Sequence, residues 1–197
     1  MGLWKKLFGK SPSKKSKKSP FLPKTEESLD ILFTKRFTSN GGFFLYNDSQ
    51  DLVLSNFNNI CIENSWDPGD VVTLNSKIAQ AFELPHRDSS SGKLDTFKAL
   101  LIECEYLIGN TGKILLSSQQ IHHFKLNELP QTLIVTANIK QLTRDVSEGM
   151  TLLKNKYKNT IPTNITTLKI KSELTEDKKN LTSRSNTKNI YLLLKDF

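Results

Sequence analysis

The chain lacks long apolar runs and is poor in cysteine. No stretch approaches the roughly 18 apolar residues of a membrane span, and the first apolar runs are pairs, Leu3-Trp4 and Leu7-Phe8, too short for a secretory signal. The two cysteines, Cys61 and Cys104, lie far apart and match no metal or redox spacing. We therefore expect a cytoplasmic protein with two reduced, packed thiols.

Acidic residues are absent from the first 24 positions. Residues 1–24 contain eight of the 28 Lys and Arg residues and no Asp or Glu. The other 20 basic residues equal the 20 acidic ones, so the formal charge of +8 belongs to this tail and the remaining chain is neutral. A folded domain that binds nucleic acid usually carries a basic surface, so we expect no nucleic-acid partner for the folded part.

The tail is predicted to be basic and disordered over residues 1–24, with a short amphipathic helix at its start. The prolines, serines and lysines of residues 10–24 cannot bury apolar surface. A short apolar stripe beside lysines is typical of weak contact with an anionic membrane surface. A solubilising arm, a partner-docking segment and a nucleic-acid-binding tail are the alternatives. The membrane-surface candidates are Leu3, Trp4, Lys5, Lys6, Leu7 and Phe8.

Common catalytic and cofactor-binding motifs are also missing. The chain has neither a GxGxxG loop nor a P-loop, which argues against a dinucleotide site and a nucleotide-phosphate site. A GxSxG nucleophile elbow is missing too. The histidines, His86, His122 and His123, do not have metal-ligand spacing. We therefore expect no metal site and assign no cofactor.

From residue 25 onward, strand-like runs alternate with helix-like segments. This order predicts one α/β domain over residues 25–197, with a mostly parallel sheet flanked by helices. A hairpin in the middle, joined at residues 109–112, should be antiparallel. The predicted helices cover about 26–38, 50–62, 76–82 and 145–157. The strand-like runs are 43–46, 71–74, 97–108, 114–116, 133–136, 165–170 and 190–194.

Two carboxylates, Glu103 and Glu105, flank Cys104 within the apolar run 97–108. In a continuous strand their side chains point to one face, and Cys104 and Tyr106 point to the other. Paired carboxylates on one face can perform acid–base or acyl-transfer chemistry. The alternative is a strand with one solvated face.

The turn between the next two apolar runs is the main candidate for a ligand site. Two glycines three residues apart, with Asn and Thr between them, favour a tight turn. The ligand-binding candidates are Gly109, Asn110, Thr111, Gly112 and Lys113, with Glu103 and Glu105 as the best acidic neighbours.

The same turn and its surroundings resemble the lactate-utilisation (LUD) domain family. LUD-domain proteins carry an Ile-Ala-(Asp/Glu)-Thr-Gly-Thr turn, then Leu-Pro, a strand and a helix. Here residues 108–113 stand at the turn, followed by Leu129-Pro130 and residues 133–135. The resemblance is best over residues 95–157 and looser over 26–94. It implies the fold of the sugar-phosphate isomerase and CoA-transferase superfamily (NagB/RpiA/CoA-transferase-like), and lactate oxidation beside iron–sulfur subunits.

The chain also departs from the family pattern. Asn110 replaces the acid of the family turn, and Lys113 replaces its second threonine. The family has a Gly-Pro-Ser-(Arg/Lys)-Thr-Ala-Asp stretch and a Gly-Val-His-Gly-Pro turn before its last strand. No glycine follows Gly149 here, and residues 171–177 and 184–189 match neither motif. Because glycine permits close approach of backbone to ligand, this difference predicts a degenerate ligand site.

The resemblance predicts an accessory protein of a lactate-utilisation-type oxidoreductase system, with iron–sulfur oxidoreductase subunits as partners. Two alternatives stay open. One is a solitary enzyme of the same superfamily, which needs a nucleophilic or basic carboxylate such as Glu103 or Glu105. The other is a binding module tethered to a membrane surface by its tail.

Overall fold

The computed structural model describes residues 27–88, 92–170 and 187–197. The predicted tail, residues 1–24, lies outside the described residues. The described α-helices are α1 (Leu29–Ser39), α2 (Gln50–Glu63), α3 (Ser76–Phe82), α4 (Ser118–Ile121) and α5 (Val146–Tyr157). The strands are β1 (Phe43–Asn47), β2 (Val71–Thr73), β3 (Ala99–Glu103), β4 (Tyr106–Ile108), β5 (Lys113–Leu116), β6 (Thr132–Asn138), β7 (Leu142–Thr143), β8 (Thr166–Thr167), β9 (Lys169–Ile170) and β10 (Thr187–Lys195).

Polar side chains just before three helices explain where those helices begin. The Ser49 hydroxyl accepts a hydrogen bond from the Leu52 backbone N–H at the start of α2. Asn75 caps α3 and Asp145 caps α5 in the same way. Such caps satisfy backbone N–H groups that have no partner within the helix. The helices predicted around these segments are confirmed.

The main sheet is parallel throughout, in the order β1–β10–β6–β3–β2, with β9 pairing the start of β10. Its central strands are nearly continuous apolar sequence, and β3, β6 and β10 are mostly buried. Strands of this kind are covered by other elements on both faces. The predicted α/β fold with a mostly parallel, helix-flanked sheet is confirmed.

A second, smaller sheet has the order β7–β4–β5–β8. Its β4–β5 hairpin is antiparallel, as predicted from the turn at residues 109–112. The run 97–108 is not one strand, however. It is divided at Cys104 and Glu105, because β3 ends in the main sheet and β4 begins in the second one. The predicted alternation of Glu103 and Glu105 along a single strand is therefore wrong.

The elements form layers around two main cores. One face of the main sheet packs against α2 and α3, through Val53, Phe57, Ile60 and Ile78. The opposite face packs against α1, the second sheet and α4, through Phe33, Phe37, Leu107, Ile114, Leu116 and Ile121. Helix α5 covers the outer side of the second sheet through Leu153. In the described parts of the chain, no helix has the length and apolar character needed to cross a membrane.

The chain changes faces at the β2 edge. It leaves β2 through α3 on the α2/α3 face, runs beside β2 at residues 85–87, and buries Leu94 in the core on the opposite face before β3. The β1–β2 and β2–β3 connections cross the sheet in opposite directions. Because the chain moves to the opposite face before β3, both connections can have the same handedness. Neighbouring strands β2 and β3 thus continue to opposite faces, which opens a crevice at their carboxyl ends.

Candidate functional site

A cleft of about 500 Å³ occupies the crevice at the carboxyl ends of the parallel strands. It lies between the first turns of α2 and α3, and we call it the carboxyl-edge cleft. Ligands of open α/β sheets bind in this position, where adjacent strands continue to opposite faces. Its polar lining residues are Gln50, Asn75, Ser76, Lys77, Glu103, Thr136 and Lys195.

Strand register explains why three of these side chains converge. Glu103, Thr136 and Lys195 each follow by two positions a residue of the α2/α3 core, respectively Leu101, Ile134 and Leu193. Because side chains alternate along a strand, the three polar side chains project to the same face as those apolar residues. Glu103 and Thr136 are direct register partners across β3 and β6. The apolar row therefore becomes a polar row where the strands end.

Asn75 connects this polar row to α3. Its side-chain carbonyl accepts hydrogen bonds from the backbone N–H groups of Lys77 and Ile78, at 2.9 and 3.3 Å. This capping role orients the amide, and its Nδ2 donates to Glu103 Oε2 over 3.4 Å. The Glu103 side chain is exposed, so its carboxylate remains accessible in the cleft.

The cleft combines groups that suit a small anion bearing a hydroxyl. The ammonium groups of Lys77 and Lys195 attract carboxylate or phosphate. The Glu103 carboxylate accepts a hydrogen bond from a hydroxyl, and the Thr136 hydroxyl can donate or accept one. Charge-assisted bonds of this kind are stronger than neutral ones. The arrangement is therefore chemically suited to a ligand of this kind.

Glu105 has a different environment from Glu103. It is 1% exposed, and its four hydrogen-bond donors are Ser117 Oγ (2.7 Å), Gln120 Nε2 (3.0 Å), Lys156 Nζ (2.9 Å) and Tyr157 OH (2.9 Å). Burial raises the pKa of Glu105, but these bonds outweigh burial and hold the pKa below its ordinary value. Since both oxygens are engaged, Glu105 is poorly suited to act as a base or nucleophile. It joins the second sheet to α4 and α5.

The turn at residues 109–113 packs against α1. Gly112 has a φ of +65°, and a Cβ there would lie 2.4 Å from the Phe37 backbone nitrogen. Asn40 Nδ2 donates to the Thr111 carbonyl over 2.9 Å. The side chains of Asn110 and Lys113 are exposed. The turn thus positions α1 on the second sheet, and its predicted role in ligand binding stays a prediction.

The predicted site residues therefore lie in three separate surroundings. Glu103 lines the carboxyl-edge cleft, Glu105 is buried beneath α5, and the turn contacts α1. Sequence reasoning missed Asn75, Thr136 and Lys195. Their positions in the sequence could have identified them. Each lies at or just after the end of a run predicted as a parallel strand, and the carboxyl ends of parallel strands share one edge of the sheet.

Several sequence predictions concern residues outside the described part. The membrane-surface candidates, residues 3–8, lie there, and so do residues 171–186, which contain much of the region where the family glycines are missing. Cys61 and Cys104 are free thiols, and burial raises the pKa of both. Across residues 27–88, 92–170 and 187–197, no group of three His, Cys, Asp or Glu side chains is placed to hold a metal ion.

The fold and cleft define an α/β protein with an open parallel main sheet and a polar crevice at the carboxyl edge of that sheet. The family model of the LUD domain matches residues 71–196, and the chain belongs to the LUD-domain family. The predicted family is therefore confirmed. A crystal structure of a DUF162 family protein from Deinococcus radiodurans is similar in fold, with a TM-score of 0.58 and 15% sequence identity over 85% of this chain and 96% of that chain. No curated protein matches the chain significantly.

Proposed function

We propose that this LUD-domain protein is a cytoplasmic accessory protein of a lactate-utilisation-type oxidoreductase system, and that it binds a small anionic metabolite in the carboxyl-edge cleft. The observation that carries the binding proposal is the convergence of Glu103, Asn75 and Lys195 at the strand ends. Family membership supports the link to lactate utilisation. Iron–sulfur oxidoreductase subunits are the proposed partners.

The chemistry of the cleft supports the proposed recognition of a hydroxylated acid. Lys195 and Lys77 supply positive charge for the acid group, and the Glu103 carboxylate accepts a hydrogen bond from the hydroxyl group. The cleft volume of about 500 Å³ falls within the range of small-molecule sites. It exceeds what lactate alone would fill, so larger carriers of an acid or phosphate group belong in the same test.

Thermal unfolding with added ligand tests the binding proposal. Lactate, pyruvate, coenzyme A and a sugar phosphate are each titrated against the full chain. A ligand at about 100 times its Kd stabilises by about 2.7 kcal/mol, which raises the Tm by roughly 5–11 °C. We expect one of these probes to raise the Tm of the wild type, and Glu103→Gln and Lys195→Met to abolish that rise.

Lys113→Ala serves as the matched control, since Lys113 is exposed on the second sheet and does not line the cleft. It removes one lysine and should retain the full ligand-induced shift. A shift lost in Lys113→Ala and kept in Glu103→Gln would instead favour the turn as the ligand site. No shift with any probe would contradict the binding proposal.

Native affinity purification of the tagged full-length chain tests the partner proposal. We expect iron–sulfur or flavin oxidoreductase subunits to co-elute in stoichiometric amounts. A chain that elutes without another subunit would contradict the accessory role. The ligand test is independent of this result, because it uses the purified chain alone.

An enzyme of the CoA-transferase and sugar-phosphate isomerase superfamily is the second candidate function. It is favoured by the exposed position of the Glu103 carboxylate in the cleft, which suits a base or nucleophile better than the buried Glu105 does. Turnover of coenzyme A thioesters or sugar phosphates by the purified chain, lost in Glu103→Gln and kept in Lys113→Ala, would establish it. Binding without turnover would leave the accessory role.

A further inference from the structure

The two edges of the main sheet differ in how they are covered. At the β2 edge, the Thr73 N–H donates to the Pro85 carbonyl over 3.1 Å, and the Arg87 N–H donates to the Thr73 carbonyl over 3.0 Å. The short segment at residues 85–87 thus covers the backbone of β2. At the other edge, no strand of the described chain pairs with the outer side of β1.

Hydrogen-bond parity identifies the backbone groups exposed on β1. In a parallel ladder, each residue directs its N–H and C=O to one neighbour, and successive residues alternate sides. The Asn47 carbonyl accepts from the Asp196 N–H over 3.0 Å, so Phe43, Leu45 and Asn47 face β10. Phe44 and Tyr46 therefore direct their N–H and C=O groups outward.

This pattern is self-complementary. In an antiparallel pairing of two β1 strands about a two-fold axis through Leu45, Phe44 lies opposite Tyr46 of the second copy, and Tyr46 lies opposite Phe44. Both become hydrogen-bonded pairs, so the two outward N–H and two outward C=O groups of each copy form four hydrogen bonds. A shift of register by one residue would leave these groups unmatched.

We propose that the β1 edge is a homodimer interface, in which two copies join their main sheets through antiparallel β1 strands. The side chains support this pairing. Phe43 and Tyr46 are 50% and 49% exposed, although edge strands are usually protected by proline, lysine or other charges. The pairing places Phe44 and Tyr46 in cross-strand aromatic pairs, which stabilise antiparallel strands.

The groove beside the β1 edge also favours a second copy over an unrelated partner. This groove, about 340 Å³, is lined by Phe44 and Tyr46 on the sheet and by Asp30, Ile31 and Lys35 on α1. The acid lies in the first half of α1 and the lysine in the second. The two-fold axis makes the two α1 helices antiparallel, so the half with Asp30 in each copy points toward the half with Lys35 in the other, and Lys35 also pairs with Glu27 of its own chain.

Light scattering after size-exclusion chromatography of the full chain tests the oligomeric state across a dilution series. We expect a mass twice the 22.4 kDa of one chain for the wild type and for Tyr46→Val. Tyr46→Pro should be monomeric, because proline removes an outward N–H and tolerates an edge position where no ladder bond is lost. A wild type that stays monomeric at its highest soluble concentration, or a dimer that persists in a folded Tyr46→Pro chain, overturns the proposal.

Disulfide formation tests the register without depending on the proline variant. In a Cys61→Ser background, Leu45→Cys places two thiols on the axis in a non-hydrogen-bonded pair, where Cβ atoms are about 4.5–5.5 Å apart. Phe43→Cys is the matched control, because residue 43 lies opposite residue 47 and its thiols are roughly 13 Å apart along the strands. Mild oxidation should link Leu45→Cys and leave Phe43→Cys unlinked. Equal linking of both variants, or of neither, contradicts the register.

Discussion

A single buried carboxylate holds the second sheet to its covering helices. Glu105 would carry a large desolvation cost if left without partners, and the four donors, which come from Ser117 at the start of α4, from α4 itself and from α5, offset that cost. One of them, Lys156, is half exposed, so its charge is partly screened. The strength of the cluster therefore comes from several hydrogen bonds that meet at one group, rather than from the ion pair.

Glu105→Gln should destabilise the protein by about 2–4 kcal/mol at neutral pH, since a charged acceptor is replaced by an amide whose NH₂ must face a donor. This corresponds to a fall in Tm of roughly 5–15 °C. Because folding lowers the pKa of Glu105, its contribution is present above the unfolded-state pKa, about 4.3, and is lost as pH falls through the folded-state value. The difference in Tm between wild type and variant should therefore shrink as the pH falls below the unfolded-state pKa.

Calorimetry at pH 7 and pH 3.5 measures this difference. Lys154→Gln is the control, because Lys154 is an exposed residue of the same helix and its replacement should change the free energy of unfolding by less than about 0.5 kcal/mol. A Glu105→Gln difference that is equal at both pH values would show that the carboxylate charge is not what stabilises the cluster.

At the scale of elements, the turn at residues 109–113 fixes where α1 lies. Both glycines of the turn pack closely against residues of α1. Gly109 approaches the Leu29 side chain, and Gly112 approaches the backbone of α1. Of these two glycines, only Gly112 has a positive φ. Any other residue at this position would therefore strain the backbone, and its side chain would also clash with α1.

Gly112→Ala should destabilise the protein by about 3 kcal/mol, because the new Cβ meets backbone atoms that cannot move without shifting α1. Chemical denaturation measures the effect. Gly69→Ala is the control, since a Cβ at Gly69 meets nothing within 4 Å, and its effect should stay within about 0.5 kcal/mol. Equal stability of the two variants would show that the turn yields to a side chain.

Elements with a local signal were predictable from sequence. The β4–β5 turn and the helices α2, α3 and α5 follow from caps and apolar spacing within a few residues. The second sheet was not predictable from sequence, because β7 and β8 are two-residue strands that pair with β4 and β5 from far along the chain. Propensity carries little information about pairings of that length and separation.

The site was predictable only in part for a similar reason. Glu103 was identified from local sequence, but Thr136 and Lys195 become its neighbours only through the order β10–β6–β3. Strand order depends on packing between distant segments, and one sequence does not specify it locally. The buried environment of Glu105 was unpredictable as well, since it arises from the break between β3 and β4.

At the scale of the whole molecule, charge is divided between the tail and the remaining chain. Residues 1–24 hold eight lysines and no acid, and the rest is neutral by count. We predict that the intact chain binds phosphatidylserine-containing vesicles weakly and releases them at high salt, because each lysine near an anionic surface contributes about 1 kcal/mol and is screened by ions. A chain of residues 25–197 should not bind.

Vesicle sedimentation at two salt concentrations measures this binding. Vesicles of phosphatidylcholine alone are the control, and should retain little of either chain. Equal sedimentation of the intact and shortened chains would remove the membrane role of the tail. The LUD domain and its cleft are unaffected by that outcome.

The position of β10 in the main sheet has a consequence for biosynthesis. Residues 187–195 form the strand that joins β1 to β6, so β1 has no sheet partner until almost 150 further residues have been synthesised. Pairings this distant carry a large loop-closure cost and slow folding. On the ribosome, β2, β3 and β6 can assemble early, whereas β1 must wait with its aromatic side chains exposed. A chain released before β10 has been synthesised would keep β1 exposed. Such incomplete copies would be bound by chaperones or would aggregate.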